Sequence, residues 1–277
     1  MLRAGKIIGE GGQGCVISPA WDSKNANEVT KIASRSTTLK ETEISRILRA
    51  VDPQQMYGIY ALGNATCGPL DPARLSKERI VAKENDSASK CANLAARSKT
   101  RKDVCYANYP KYVQDLDPSG SVPKLTKEQG AQGILHIWKA LAFLHDNHVI
   151  HGDIKGPNMA IVNLRGELTF VFADWGWSAQ TNTLANASEA LANMKSVANE
   201  YIAYHYNNSS NGIWSPKLVS ENPKTLKGIR NLLEFNDVFS LAYAMIDFVK
   251  FCERYDLISE ERGDALFHHP AYRPASN

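Results

Sequence analysis

Long apolar runs are missing from this sequence: no uncharged stretch is long enough to cross a bilayer, so no membrane span is expected. An apolar leader is not expected either, because the glycines from Gly9 to Gly14 interrupt the first hydrophobic residues at once. Charge of one sign is also scarce. A formal net charge of +3 does not by itself imply nucleic-acid binding. Cysteine is sparse: Cys15, Cys67, Cys91, Cys105 and Cys252 form an odd set without CxxC spacing. That pattern argues against a disulfide framework or a zinc site and predicts reduced thiols in a cytoplasmic setting. No internal repeat is visible. What remains is ordinary globular composition, 43% apolar and 22% charged over 277 residues, enough for one two-lobed domain or two small ones.

The hydrophobic pattern changes along the chain. Lys6 to Val16 reads as strand, glycine turn, strand, and Val29 to Ala33 as another strand. Leu39 to Ala50 has apolar residues at helical spacing, and Met56 to Leu62 reads as a further strand. Between Arg74 and Lys102, nine Lys or Arg stand against three Asp or Glu. This basic stretch, within an insertion at about 63–108, reads as a solvated surface segment. Docking of an acidic partner or nucleic acid is its functional alternative.

Lys111 to Leu116 resumes as a strand, and the turn-rich run from Asp117 to Pro123 marks a boundary between residues 1–118 and 119–277. Beyond it, Lys127 to Asn147 predicts a buried helix, Leu168 to Phe172 a strand, Ala185 to Ala203 a helix, and Asp237 to Phe251 a very apolar helix. A strand-rich first third and a helix-rich remainder make the fold class α+β, in two lobes.

Three groups of residues carry chemistry. Gly9, Gly11, Gly14 and Val16 form a GxGxxGxV pattern flanked by strands, in which bare backbone can lie against phosphate oxygens. A dinucleotide-binding fold would need a helix after these glycines. Further on, His151-Gly-Asp153-Ile-Lys155-Gly-Pro-Asn158 places an acid, a base and an amide at short fixed spacing. Ala173-Asp174-Trp-Gly176 follows a hydrophobic strand, its aspartate 21 residues beyond Asp153. Each piece alone has a bland reading: a turn, a packed histidine, a pair of turn-forming side chains.

Together and in this order they resemble the protein kinase superfamily. The loop resembles HRDxKxxN, and the Asp-Trp-Gly looks like the DFG motif with Trp175 in place of phenylalanine. The resemblance implies a kinase-like fold with a β-rich N-lobe and a helical, shortened C-lobe, using ATP and magnesium. Asp153 would act on the attacking hydroxyl and Lys155 would neutralise the migrating phosphoryl group, while Asn158 and Asp174 would hold metal. Lys31 resembles the strand lysine that holds the phosphates, with Glu43 as its partner and Glu41 as the alternative. Asp237 resembles the helix aspartate that binds the catalytic-loop backbone; a helix N-cap is its structural alternative. Lys155 points to a Ser/Thr kinase acting on protein substrates.

The sequence also departs from the family. Gly152 stands where many kinases carry an arginine that anchors a phosphorylated activation loop, so control by that route is not expected. The Ala-Pro-Glu that usually closes the segment appears only as Trp214-Ser-Pro216-Lys217, with no glutamate to tie it down, and the segment from Asp174 is long. Forty residues follow Asp237, which implies reduced C-terminal helices. His-Gly-Asp is also similar to aminoglycoside and choline phosphotransferases, the rival reading, and a pseudokinase scaffold is a third. Lys155 and the intact glycine pattern favour a protein kinase. The Gly14 to Pro19 run and Val51-Asp-Pro53 are similar to protein kinases of large nucleocytoplasmic DNA viruses.

Overall fold

The computed structural model describes residues 6–10, 14–20, 25–68, 94, 103–112, 114–116, 125–164, 166–202 and 214–254. Gly11, most of the basic stretch from Arg74 to Lys102, the expected boundary at 118/119 and the chain beyond Arg254 lie outside them. Contacts divide the chain into two compact units. One comprises residues 1–111 with 173–178, the other residues 112–172 with 179–277.

The first unit is built on an antiparallel sheet of order β1-β2-β3-β5-β4. Its strands are β1 (Lys6–Glu10), β2 (Gly14–Ser18), β3 (Glu28–Ser34), β4 (Thr66–Cys67) and β5 (Val104–Pro110). The strand-turn-strand reading of the glycine region is met at its two ends, since β1 and β2 pair antiparallel on either side of residues 11–13. The helix α1 (Arg35–Val51) starts where Ser34 caps it, accepting the Thr37 amide through its hydroxyl at 3.2 Å.

Met56 to Leu62 is not a strand. Apart from the Leu62 amide, which donates to the Asn108 carbonyl at 2.8 Å, much of its polar backbone is satisfied by side chains instead of a ladder. Ser45 Oγ accepts from the Ala61 amide at 2.9 Å, Asp52 accepts from the Met56 and Tyr57 amides, and the Ile59 carbonyl accepts from Trp175 Nε1 at 2.6 Å.

The cysteines also depart from expectation. Cys67 and Cys105 face each other across β4 and β5, with Cα atoms 4.2 Å apart, and form a disulfide; Cys15 is disulfide-bonded as well. Strand pairing brings Cys67 and Cys105 together over a separation of 38 residues, which no spacing rule detects. The inference from reduced thiols to a cytoplasmic setting therefore loses its basis.

In the second unit, α2 (Lys127–Asp146) opens with a reciprocal cap. Gln129 donates its amide N–H to the Thr126 hydroxyl and accepts the Thr126 amide through its side chain. A side chain at Gly133 would place a Cβ 2.6 Å from the Phe170 ring, so glycine is what lets α2 lie close on the sheet. That sheet is β6 (Gln114–Asp115), β8 (Met159–Leu164) and β9 (Glu167–Phe172), while β7 (Val149–Ile150) pairs with β10 (Ala179–Gln180). The strand expected over Lys111 to Leu116 shrinks to β6, and its predecessor β5 ends at Pro110.

Then come α3 (Leu184–Ile202), α4 (Pro216–Ser220) and α5 (Leu226–Arg254). The alanine-rich α3 buries Ala187, Ala190, Leu191, Met194 and Ala198 against Leu218, Ile229, Leu232 and Leu233. Helix α5 begins eleven residues before the expected Asp237, because Ile229, Leu232 and Leu233 already supply a buried face at helical spacing. Asp237 is therefore a helix-interior residue, and the N-cap alternative is excluded. Among the described residues, no helix is long and apolar enough to cross a membrane.

Candidate active site

In the first unit, strand register builds one row across the sheet. Gly9 stands opposite Val16, Val16 opposite Lys31, and Lys31 opposite Ala107. Directly paired residues project from the same face, so the glycine strands, Val16 and Lys31 present one continuous surface. Gly14 is required by packing, as a Cβ there would lie 2.3 Å from the Ile32 carbonyl oxygen. Gly9 is under no such pressure; the nearest atom to a Cβ there would be Val16 Cβ at 4.0 Å.

Lys31 Nζ donates to Glu41 Oε1 at 2.7 Å and to Asp174 Oδ1 at 2.9 Å. Burial lowers the lysine pKa, but the two carboxylates outweigh it and hold the ammonium charged well above its usual range. Burial is also the main influence on Glu41, pushing its carboxyl up against the opposing pull of Lys31 and Tyr109. Glu41, not Glu43, is thus the partner of Lys31, a correction to the sequence reading. Glu41 lies seven residues from the fully buried Leu48, close to two helical turns, and shares its face. Glu43 falls off that face, is 56% exposed, and pairs with Arg46 at 2.7 Å.

Asp174 caps the start of the 3-10 turn Trp175–Trp177 with φ 62° and ψ 79°, a left-handed conformation uncommon for a non-glycine residue. Trp175 anchors it: the ring is fully buried, bonds the Ile59 carbonyl, and packs 5.5 Å from the Tyr60 ring. The polar edge of the buried indole is satisfied, since its N–H finds a carbonyl.

In the second unit, the loop from His151 to Asn158 folds around Asp153. Lys155 Nζ lies 2.9 Å from Asp153 Oδ2, and Asn158 Nδ2 donates to that oxygen and to the Asp153 carbonyl, both at 2.8 Å. Pro157, in the turn Gly156–Asn158, lacks the N–H that such a turn would leave unpaired. The loop is held from below by Asp237, which is fully buried and accepts from the His151 amide at 2.7 Å and the Gly152 amide at 2.9 Å. His145 Nε2 lies 3.4 Å from the same carboxylate. Gly152 takes φ 80°, a conformation glycine adopts without a Cβ penalty.

The segment ending at Trp214 to Lys217 lacks the family's glutamate, and a different bond holds it: the Ser215 amide donates to the buried Asn236 Oδ1 at 2.9 Å. Thr181, near the start of that segment, is buried, and its amide and hydroxyl both donate to the His148 carbonyl.

Tyr109 was missed entirely. Its hydroxyl donates to Glu41 Oε2 at 2.8 Å. The signal was the alternation along β5, where Ala107 and Tyr109 share the face that carries Lys31.

The family model for the protein kinase domain matches residues 110–219, which supports the protein kinase superfamily. The matched stretch is shorter than half the chain. It contains the whole loop from His151 to Asn158 and Asp174, while the glycine pattern, Lys31 and Glu41 precede it.

Among the described residues, no group of three or more His, Cys, Asp or Glu is placed to hold a metal alone. Magnesium sites in phosphoryl-transfer enzymes use one or two protein oxygens and complete themselves with phosphates. The carboxylate of Asp174 in the first unit and the amide oxygen of Asn158 in the second, whose Nδ2 is turned to Asp153, are each, taken separately, oxygen donors of that kind.

Proposed function

We propose that this chain is a Ser/Thr protein kinase that transfers the γ-phosphoryl group of Mg-ATP to a protein hydroxyl. The observation that carries the reading is the anchoring of Asp153, fixed by Lys155 and Asn158 on a loop whose backbone hangs from Asp237. Phosphoryl transfer demands mainly positioning and electrostatic stabilisation, so a rigid carboxylate beside a lysine is suitable equipment. In this reading Asp153 orients the attacking hydroxyl and takes its proton, and Lys155 neutralises charge on the transferred group. Gly9, Gly11, Gly14 and Val16 cover the nucleotide, and Lys31, steadied by Glu41, holds its phosphates. Asn158 and Asp174 would hold magnesium, which neutralises phosphate charge when bound.

The Ser/Thr preference rests on Lys155, and kinship with viral kinases on the Gly14 to Pro19 run. A small-molecule phosphotransferase is the second reading, favoured by the His151-Gly152-Asp153 sequence. Incubation with labelled Mg-ATP and a panel of proteins, choline and aminoglycosides separates the two. Label on serine or threonine of protein, abolished in Asp153→Ala, supports the kinase; label on small molecules alone supports the rival.

A further inference from the structure

Glu41 is a buried carboxylate, 1% exposed, with both oxygens engaged: Oε1 by Lys31 and Oε2 by Tyr109. The lysine is shared, because Asp174 Oδ1 stands 2.9 Å from the same ammonium. Two carboxylates thus share one cation; Tyr109 is a further donor to Glu41, and the Gly176 amide donates to Asp174 Oδ1 at 3.4 Å.

We propose that Tyr109 is a positioning residue for Lys31, its hydroxyl fixing the Glu41 carboxylate so that the ammonium stays tied to α1 instead of collapsing onto Asp174. The consequence for nucleotide binding rests on the kinase reading above.

The geometry suits the task. Tyr109 lies on β5, which pairs with β3 residue by residue from Glu28–Pro110 to Ser34–Val104, so the ring is carried by the best-paired part of the sheet. It follows Ala107, the residue opposite Lys31, by one β repeat and therefore projects from the same face. A tyrosine has two side-chain torsions, so its hydroxyl is held at low entropic cost. The hydroxyl links sheet and helix: β5 fixes the donor, α1 supplies the acceptor. Burial and the neighbouring Glu41 push the phenol pKa well up, so the group remains a donor across the physiological range. The charged groups facing Glu41 in this cluster are Lys31 from β3 and Asp174 from the turn after β9, with Tyr109 from β5. Removing the phenol removes one of the influences that keep the buried carboxyl ionised. Its titration must then move to higher pH.

The test uses the full chain with Tyr109→Phe, Glu41→Gln and the double variant. The Glu41 carboxyl is followed by carbon-13 NMR as pH is varied, without nucleotide. Tyr109→Phe is expected to raise its midpoint by about one pH unit. Fluorotyrosine at position 109 keeps ring and hydroxyl, donates more strongly, and is expected to move the midpoint down. In parallel, Mg-ATP affinity measured by calorimetry is expected to fall about tenfold in Tyr109→Phe. The double variant should bind no more weakly than Glu41→Gln alone. An unmoved Glu41 midpoint in folded Tyr109→Phe and fluorotyrosine proteins overturns the proposal, as does a full additional loss in the Glu41→Gln background. If wild-type protein binds no nucleotide, the kinase reading fails, while the Glu41 titration still decides the role of Tyr109.

Discussion

Asp237, in the interior of a long helix, accepts the backbone amides of both His151 and Gly152 and so suspends the loop that carries Asp153. A buried carboxylate that binds two N–H groups cannot be removed without leaving both unpaired, at about 1–3 kcal/mol each. Asp237→Ala is expected to lower the melting temperature and to accelerate hydrogen exchange at the His151 and Gly152 amides specifically. Exchange that rises uniformly over the unit, or not at all, would count against this role.

Glu41 and Glu43 differ by two positions and are expected to differ sharply in effect. Glu41→Gln weakens the hold on Lys31 inside a buried cluster, and nucleotide-dependent activity should fall by roughly ten- to a hundredfold. Glu43→Gln touches only an exposed pair with Arg46 and should change activity by less than about twofold. Steady-state kinetics on both variants make the comparison.

The two framing glycines make a second contrast. Gly14→Ala forces a methyl against the Ile32 carbonyl and should cost stability on the order of 2 kcal/mol or more, visible in denaturant melts. Gly9→Ala meets nothing closer than 4.0 Å and should leave the melt within about 0.5 kcal/mol of wild type, so any loss of ATP affinity there reports on the nucleotide rather than the fold.

The Lys31 cluster also has a pH signature. Its folded pKa lies above the usual 10.5, so the folded state retains a proton that the unfolded chain gives up. The stabilisation is complete below about pH 10.5 and declines as pH rises towards the folded value. The stability gap between wild type and Lys31→Met should be flat from neutral pH to near 10 and narrow above it.

The loop from His151 to Asn158 was legible in the sequence because its residues are local: spacing alone sets which side chains can meet. Helix α2 was legible for the same reason, its apolar face lying within one segment. Glu41 was not, because the apolar spacing over Leu39 to Ala50 does not by itself mark the face that the fold buries. In α1 the buried face is largely polar, through Thr38, Thr42 and Ser45, and hydrophobic periodicity misses it. Met56 to Leu62 has strand composition, yet Ser45, Asp52 and Trp175 supply its hydrogen bonds from elsewhere. The disulfide between Cys67 and Cys105 and the bond from Tyr109 to Glu41 depend on partners 38 and 68 residues apart, a distance over which only tertiary structure carries information.

The most direct test of the central claim is transfer of label from γ-labelled Mg-ATP to protein, compared among wild type, Asp153→Ala and Asp174→Ala under conditions where all three are folded. The account predicts phosphoserine or phosphothreonine with wild type and a loss of at least about a thousandfold in each variant. Transfer that survives unchanged in folded Asp153→Ala protein would contradict it.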